Sequence, residues 1–232
     1  MEHSGFCGRR FLKIFPFAYA FGQTLFGKIF DWIGTRLGFV LSIVVWSAAT
    51  MLHAVATGLT SFAIFRGFLG LSEAGNWPGA TKANAEWFPI NERALAQGIF
   101  NSGAAIGGII SAPIIGILFV FLGTWQATFI AVGALGFLWL VPWLIIYKSG
   151  PEAHPWLSAA EREYILTGQK NAETNEVADY APSSGEILSR KESWGVIMAS
   201  FFLDPIWWLF VGWLPLYLFE TYGFGVEEIA KY

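Results

Sequence analysis

One cysteine, Cys7, stands in a chain of 232 residues, which excludes an internal disulfide framework and a cysteine-based metal site. Histidine is almost as scarce. His3, His53 and His154 are scattered, with no Cys or Asp beside them at metal-ligand spacing. There is no Gly-rich phosphate loop and no nucleophile elbow, so the sequence carries no enzyme signature and implies no cofactor. Charge is also in short supply. Only 13% of residues are Asp, Glu, Lys or Arg, too few to clothe a soluble domain of this size in polar surface. The basic residues lie at the ends of apolar runs, which leaves no patch for nucleic acid.

What is abundant is apolar: 55% of the chain is hydrophobic, with 22 Phe and 12 Trp, and the mean hydropathy is +0.51. Six runs stand out, at 14–30, 37–56, 62–81, 95–122, 128–147 and 194–219. A bilayer crossing takes about 20 such residues. Open sheet edges cannot be satisfied in lipid, so each run is expected to be a helix. The expected class is an all-α polytopic membrane protein.

Basic residues orient it. Lys28 and Arg36 bracket the first connection, Lys82 and Arg93 the third, and Lys148, Arg162, Lys170, Arg190 and Lys191 lie in the fifth. The second and fourth connections, 57–60 and 123–124, carry none, which puts connections one, three and five in the cytoplasm. Arg9, Arg10 and Lys13 fall on the wrong side, so either the N-terminus is unusual or a preceding helix has been lost. The fifth connection is the one long polar stretch. Ser158 to Glu161 reads as a capping box that opens a short amphipathic helix over 161–166, and 171–185 reads as a linker.

Arg66 and Glu73 interrupt the third run. A charge in hydrocarbon costs several kcal/mol, and chains keep one there mainly where it faces a cavity, a partner or a substrate path. Seven residues are about two helical turns, so both side chains share a face, roughly 10 Å apart along the axis. Arg66 is a candidate counter-charge for a substrate carboxylate, which its fork can grip bidentately, or else an internal salt bridge between helices. Glu73 is the candidate proton carrier. An arriving anion would cancel part of the Arg66 field and favour loading of anion and proton together. Asn76, a turn further on, is a candidate hydrogen-bonding partner for a substrate, and Pro78 is expected to kink this helix. Tyr19 and Gln23 form a polar stripe that lines a cavity or glues helices; Asn101 and Ser102 carry the same two readings. The row Gly98, Gly103, Gly107 and Gly108 suits close helix packing. His53 reads as a polar packing residue. Asp204-Pro205 is expected to break the last run, with Trp208 in the cavity or, alternatively, at the membrane interface.

The stretch Gly27-Lys28-Ile29-Phe30-Asp31-Trp32-Ile33-Gly34-Thr35-Arg36 resembles the signature loop of the major facilitator superfamily, G-x-x-x-D-[RK]-x-G-x-R, with Trp32 in place of the basic residue. Arg66 through Pro78 resembles the fourth helix of that superfamily's anion:cation symporter family. Glu86-Trp-Phe-Pro89, Phe100-Asn-Ser-Gly103, Trp125-Gln-Ala, His154-Pro-Trp-Leu-Ser158 and Asp204-Pro-Ile-Trp-Trp208 continue the likeness, nearest to hexuronate and sugar-acid transporters.

The resemblance implies a truncated major facilitator-type bundle spanning helices two to seven. Residues 1–16 do not match; 17–148 would be the rest of an N-terminal bundle with five spans; 149–192 a cytoplasmic linker; 193–232 the first span of a second bundle. A truncated or miscalled reading frame is the expected cause. The implied function is proton-coupled symport of a sugar acid across the inner (plasma) membrane, its partners being the lipid bilayer, the small organic anion and the proton. Arg66, Tyr19, Gln23, Asn76, Asn101 and Trp208 would bind substrate, Glu73 would couple the proton, and Asp31 and Arg36 would lock the cytoplasmic side. The alternative is a non-transporting membrane fragment of such a carrier.

Overall fold

The computed structural model describes residues 14–148, 150–169 and 183–223. Most of the non-matching N-terminal segment (1–13), the middle of the linker (170–182) and the tail (224–232) lie outside the described residues, as do the side chains of Trp207 and Trp208. The chain divides into two units, Met1–Asn175 and Glu176–Tyr232.

In the first unit, α1 (Ile14–Leu52) is interrupted at one residue, Gly34, whose φ of 79° and ψ of 165° only glycine adopts without penalty. The first two expected spans are therefore joined by a one-residue turn in place of the expected loop. The two halves fold back on each other. The Phe30 and Phe39 rings meet edge to face at 5.2 Å, and a Cβ on Gly38 would collide with Phe30 at 2.4 Å. A 3-10 turn (His53–Val55) ends this hairpin.

The third expected span is two helices, α2 (Leu59–Glu73) and α3 (Asn76–Trp87). Pro78 accounts for the position of the break. Its ring excludes the carbonyl four residues back, that of Ala74, and it offers no N–H in return. The interruption therefore falls at Ala74–Gly75, where Gly75 N–H turns to the Ser72 carbonyl at 3.3 Å. Pro78 itself sits in the first turn of α3, where an N–H has no intrahelical partner to lose. Ala74 and Gly75 keep right-handed helical angles, so the direction of the chain is largely preserved.

After a short turn, α4 (Arg93–Leu122) runs to a left-handed Gly123, and Thr124 accepts from Ala127 N–H at 3.3 Å to start α5 (Trp125–Ile146). Pro113 and Pro142 lie inside these helices without ending them. α6 (Ala159–Gln169) follows the short linker turn at Pro151–Ala153. Three segments among the described residues, Ile14–Val55, Arg93–Leu122 and Trp125–Ile146, are long and apolar enough to cross a membrane.

Packing within this unit depends on small residues. Helices in lipid gain little from burying apolar surface, so close backbone approach has to supply the contact. Along the first half of α1, Phe15 meets Gly70, Gly22 meets Leu71, Phe26 meets Gly75 and Phe30 meets Gly79, each with a neighbour within 2.8 Å of where a glycine Cβ would stand. The numbers rise together, so this half of α1 runs parallel to α2 and α3. The second half runs antiparallel to α5: Gly133 rests on Met51, Gly136 on Ser47, and Arg36 bonds the Leu144 carbonyl at 3.2 Å. Phe26, Phe30, Phe39, Ile43 and Leu140 form the buried centre.

The glycine row of α4 behaves otherwise. Gly98, Gly103, Gly107 and Gly108 meet nothing within 4 Å, and no residue of α4 is buried. The close packing expected of them is carried instead by the glycines of α1, α2, α3 and α5.

The second unit contains α7 (Ser184–Ser189) and α8 (Lys191–Tyr222). The helix passes through Asp204–Pro205 without the expected break. A helix interior tolerates proline when the freed carbonyl finds another partner.

Candidate functional site

Arg66 and Glu73 lie on one helix, α2, as the spacing required. Arg66 is exposed, and its guanidinium carbon stands 5.8 Å from the Phe15 ring and 5.9 Å from the Phe62 ring, within cation–π range of both. Among the described residues the ion pairs are Lys82–Asp31 and Arg190–Glu186, so Arg66 is held by aromatic faces and not by the internal salt bridge that was its other reading. Glu73 is half-buried at the C-terminal end of α2, in electrostatic range of both Arg66 and Tyr19.

The absence of a Cβ on Gly22 lets α1 lie against Leu71 and Ala74, and this brings Tyr19 and Gln23 to the same region. The Tyr19 hydroxyl stands against Gln23 and the Trp77 indole. Tyr19, Gln23 and Glu73 are thus gathered on one side of the α1–α2 pair, with Arg66 further along α2. Trp77 belongs with them, and the sequence reading passed over it. Its ring meets Phe100 edge to face at 5.4 Å, which links this group to α4.

Asn76 lines a cavity of about 800 Å³ between α3, α4 and α5, together with Phe39, Asn84, Phe100 and Trp143. Asn101 is exposed on α4 and accepts from Gln97 at 3.2 Å, while Gln97 accepts from Asn84 at 3.2 Å. Trp208 lies in α8 of the other unit, with its side chain outside the described residues.

The residues expected to form a lock find partners other than each other. Asp31 pairs with Lys82 of α3 at 2.8 Å, and Lys82 also donates to the Phe30 carbonyl at 2.9 Å. Arg36 reaches the α5 end at Leu144, while Trp143 Nε1 returns a bond to the Arg36 carbonyl at 3.2 Å. Beside them Glu86 accepts from Thr35 at 2.7 Å and from the Tyr147 hydroxyl. Burial first, and then the bond and charge of Glu86, hold that hydroxyl protonated far above the usual tyrosine range. These contacts gather the three Lys- and Arg-bearing connections at one end of the bundle.

α6 closes the same end. The Ser158–Glu161 capping box is formed, Ile90 N–H bonds the Gly168 carbonyl at 3.0 Å, and Tyr164 donates to Glu92 at 2.6 Å. Lys82, Thr35 and Tyr147 were not singled out from sequence. The available signal was Lys82 and Glu86 four apart on an apolar-flanked helix, two charges that need partners from neighbouring elements.

Long apolar helices, two charged residues on a helix packed among them and a clasped basic end define a helical membrane protein. Residues 12–231 match the Major Facilitator Superfamily, and the chain belongs to that family. It is 37% identical over 215 residues to the hexuronate transporter of Escherichia coli K12, covering 93% of this chain and 49% of that protein. It is 36% identical to the galacturonate transporter of Dickeya chrysanthemi, covering 92% of this chain and 61% of that protein. A probable sulfoacetate transporter of Cupriavidus necator is 30% identical over 94% of this chain and 50% of its own length. The chain spans about half the length of the curated relatives it matches. These relatives are named as transporters and not as enzymes.

Proposed function

We propose that this chain serves proton-coupled symport of a sugar acid, such as a hexuronate, across the inner membrane. The carrying observation is Arg66: an exposed cation on a membrane helix, held by two aromatic rings and unpaired by any carboxylate among the described residues, two turns from Glu73. Arg66 grips the substrate carboxylate and Glu73 carries the proton. At about 10 Å and an effective dielectric near 20, the two charges couple by roughly 1.7 kcal/mol, enough for an arriving anion to bias proton loading. Tyr19, Gln23, Asn76 and Asn101 are the candidates to contact substrate hydroxyls. Asp31 and Arg36 close the cytoplasmic side through Lys82 and Leu144. Relatives named for hexuronate and galacturonate support the substrate class.

The competing reading is a non-transporting membrane fragment of such a carrier. Proteoliposomes separate the two. An inward proton gradient should drive galacturonate above its external concentration, Arg66→Gln should abolish uptake, and Glu73→Gln should leave exchange but no accumulation. Full accumulation by Glu73→Gln removes Glu73 as the carrier. No uptake by the unaltered chain favours the fragment.

A further inference from the structure

At the far end of the hairpin from the Asp31–Lys82 pair, His53 is fully buried at 0% exposure. Its Nδ1 donates to the Ala49 carbonyl at 2.7 Å, which fixes the plane of the ring. The ring stacks on Phe129 at 5.0 Å with 7° between planes, and meets the Phe62 ring edge to face at 4.7 Å and 82°. Phe129 also meets Phe62 edge to face, at 6.1 Å. Phe62 is one of the two rings that hold the Arg66 guanidinium, and Arg66 lies within electrostatic reach of His53. Nε2 of His53 is buried with no hydrogen-bond partner among the described residues. A phenylalanine or leucine would fill this space without stranding a nitrogen, so space-filling alone does not explain the residue. What the histidine adds is the bond to Ala49, which stops the ring from turning and so fixes the stack.

We propose that His53 is a positioning residue for anion recognition. It locks Phe129 and Phe62 into a rigid shelf, and the shelf sets the direction of the Arg66 fork toward a carboxylate. The inference rests on the reading of Arg66 as the carboxylate site. It assigns His53 no contact with substrate and no proton of its own.

The test is binding of galacturonate and of its uncharged methyl ester to the full chain in nanodiscs, followed by tryptophan fluorescence. His53→Leu should weaken galacturonate binding about tenfold and leave the ester nearly unchanged, because only the charge contact depends on the direction of Arg66. His53→Phe, which keeps a ring but loses the Ala49 bond, should weaken galacturonate several-fold, and it carries the test should the leucine variant not fold. Phe62→Leu should reproduce the loss, and the double variant should be no worse than the worse single, since both act through one chain of contacts. Equal weakening of acid and ester, or losses that multiply in the double variant, overturns the positioning role. Arg66→Gln serves as the control. If it leaves galacturonate binding intact, the Arg66 site and the proposal fall together; if it weakens binding while both His53 variants match the unaltered chain, only the His53 role is overturned.

Discussion

Lys82 holds two partners at once, the Asp31 carboxylate at 2.8 Å and the Phe30 carbonyl at 2.9 Å. The two bonds are unequal. Asp31 is 78% exposed, so its charge is well screened and exposed pairs of this kind contribute about 0–1 kcal/mol. The Phe30 carbonyl lies on a helix end near the buried centre, where a lost hydrogen bond costs more. Lys82→Ala should therefore destabilise the detergent-solubilised chain by about 1 kcal/mol more than Asp31→Asn. Only the Asp31 contribution should fade in high salt. Thermal unfolding at low and high salt measures both, and equal effects would refute the assignment.

Glu86 joins three elements through one carboxylate, taking Thr35 from the second half of α1 and Tyr147 from the end of α5. Tyr147→Phe keeps the ring stacked on Trp143 at 4.3 Å and removes only the hydroxyl. A charged group loses one hydrogen bond in a half-buried place, so the expected cost is about 1.5–3 kcal/mol. Glu86→Gln should cost more, because the amide accepts from one donor only, without charge, and turns its NH2 toward the other. Chemical unfolding of the two variants ranks them, and the reverse order would show that the Thr35 bond contributes little.

The sequence revealed the class and the family because those are written in long averages: apolar run length and motifs spread in order along the chain. It also placed the capping box, a purely local signal. Relations between helices were less legible. Asn76 was expected on the Glu73 face from helical spacing, but its place beside Asn84, Phe100 and Trp143 depends on neighbouring helices that such spacing does not reveal. Asp31 and Arg36 were expected to lock the cytoplasmic side, but their particular partners, Lys82 and the Leu144 carbonyl, lie 51 and 108 residues away. Spacing along a chain shows which residues can share a face, but the partner across an interface depends on where small residues let backbones approach.

Glycines test that last point directly. A Cβ at Gly22 would stand 2.4 Å from the Leu71 carbonyl oxygen, and one at Gly79 would stand 2.4 Å from the Phe30 ring. Backbone cannot give way as a side chain can, so Gly22→Ala should be the more harmful, at about 1–3 kcal/mol or above. It should also separate Tyr19 from Glu73 and weaken galacturonate binding. Gly103→Ala meets nothing within 4 Å and relieves the backbone entropy of a helical glycine, so it should be neutral or slightly stabilising. A destabilising Gly103→Ala would mean that this face of α4 packs closely against another surface in the membrane.

Glu161 gives the linker helix a pH dependence of predictable sign. Its carboxylate accepts from Ser158 N–H at 3.0 Å and from the Ser158 hydroxyl at 2.8 Å, and these bonds lower its acid from the usual glutamate value. A group with a lowered value in the folded state stabilises that state above its ordinary value, near 4.3, and the contribution is lost as pH falls through the lowered one. Amide exchange over 159–169 should thus be uniform from pH 7 to pH 5 after correction for intrinsic rates, then quicken below about pH 4. Glu161→Gln keeps one acceptor but cannot ionise, so it should exchange faster at pH 7 and show no step on acidification. Ser158→Ala removes one donor of the box and the hydroxyl that accepts from Glu161 N–H at 3.2 Å, so it should exchange faster than either. Because Tyr164 and Gly168 tie this helix to Glu92 and Ile90, loosening it should release the α3–α4 turn as well. Faster exchange confined to α6, with the turn unchanged, would show that the helix docks on that end without bracing it.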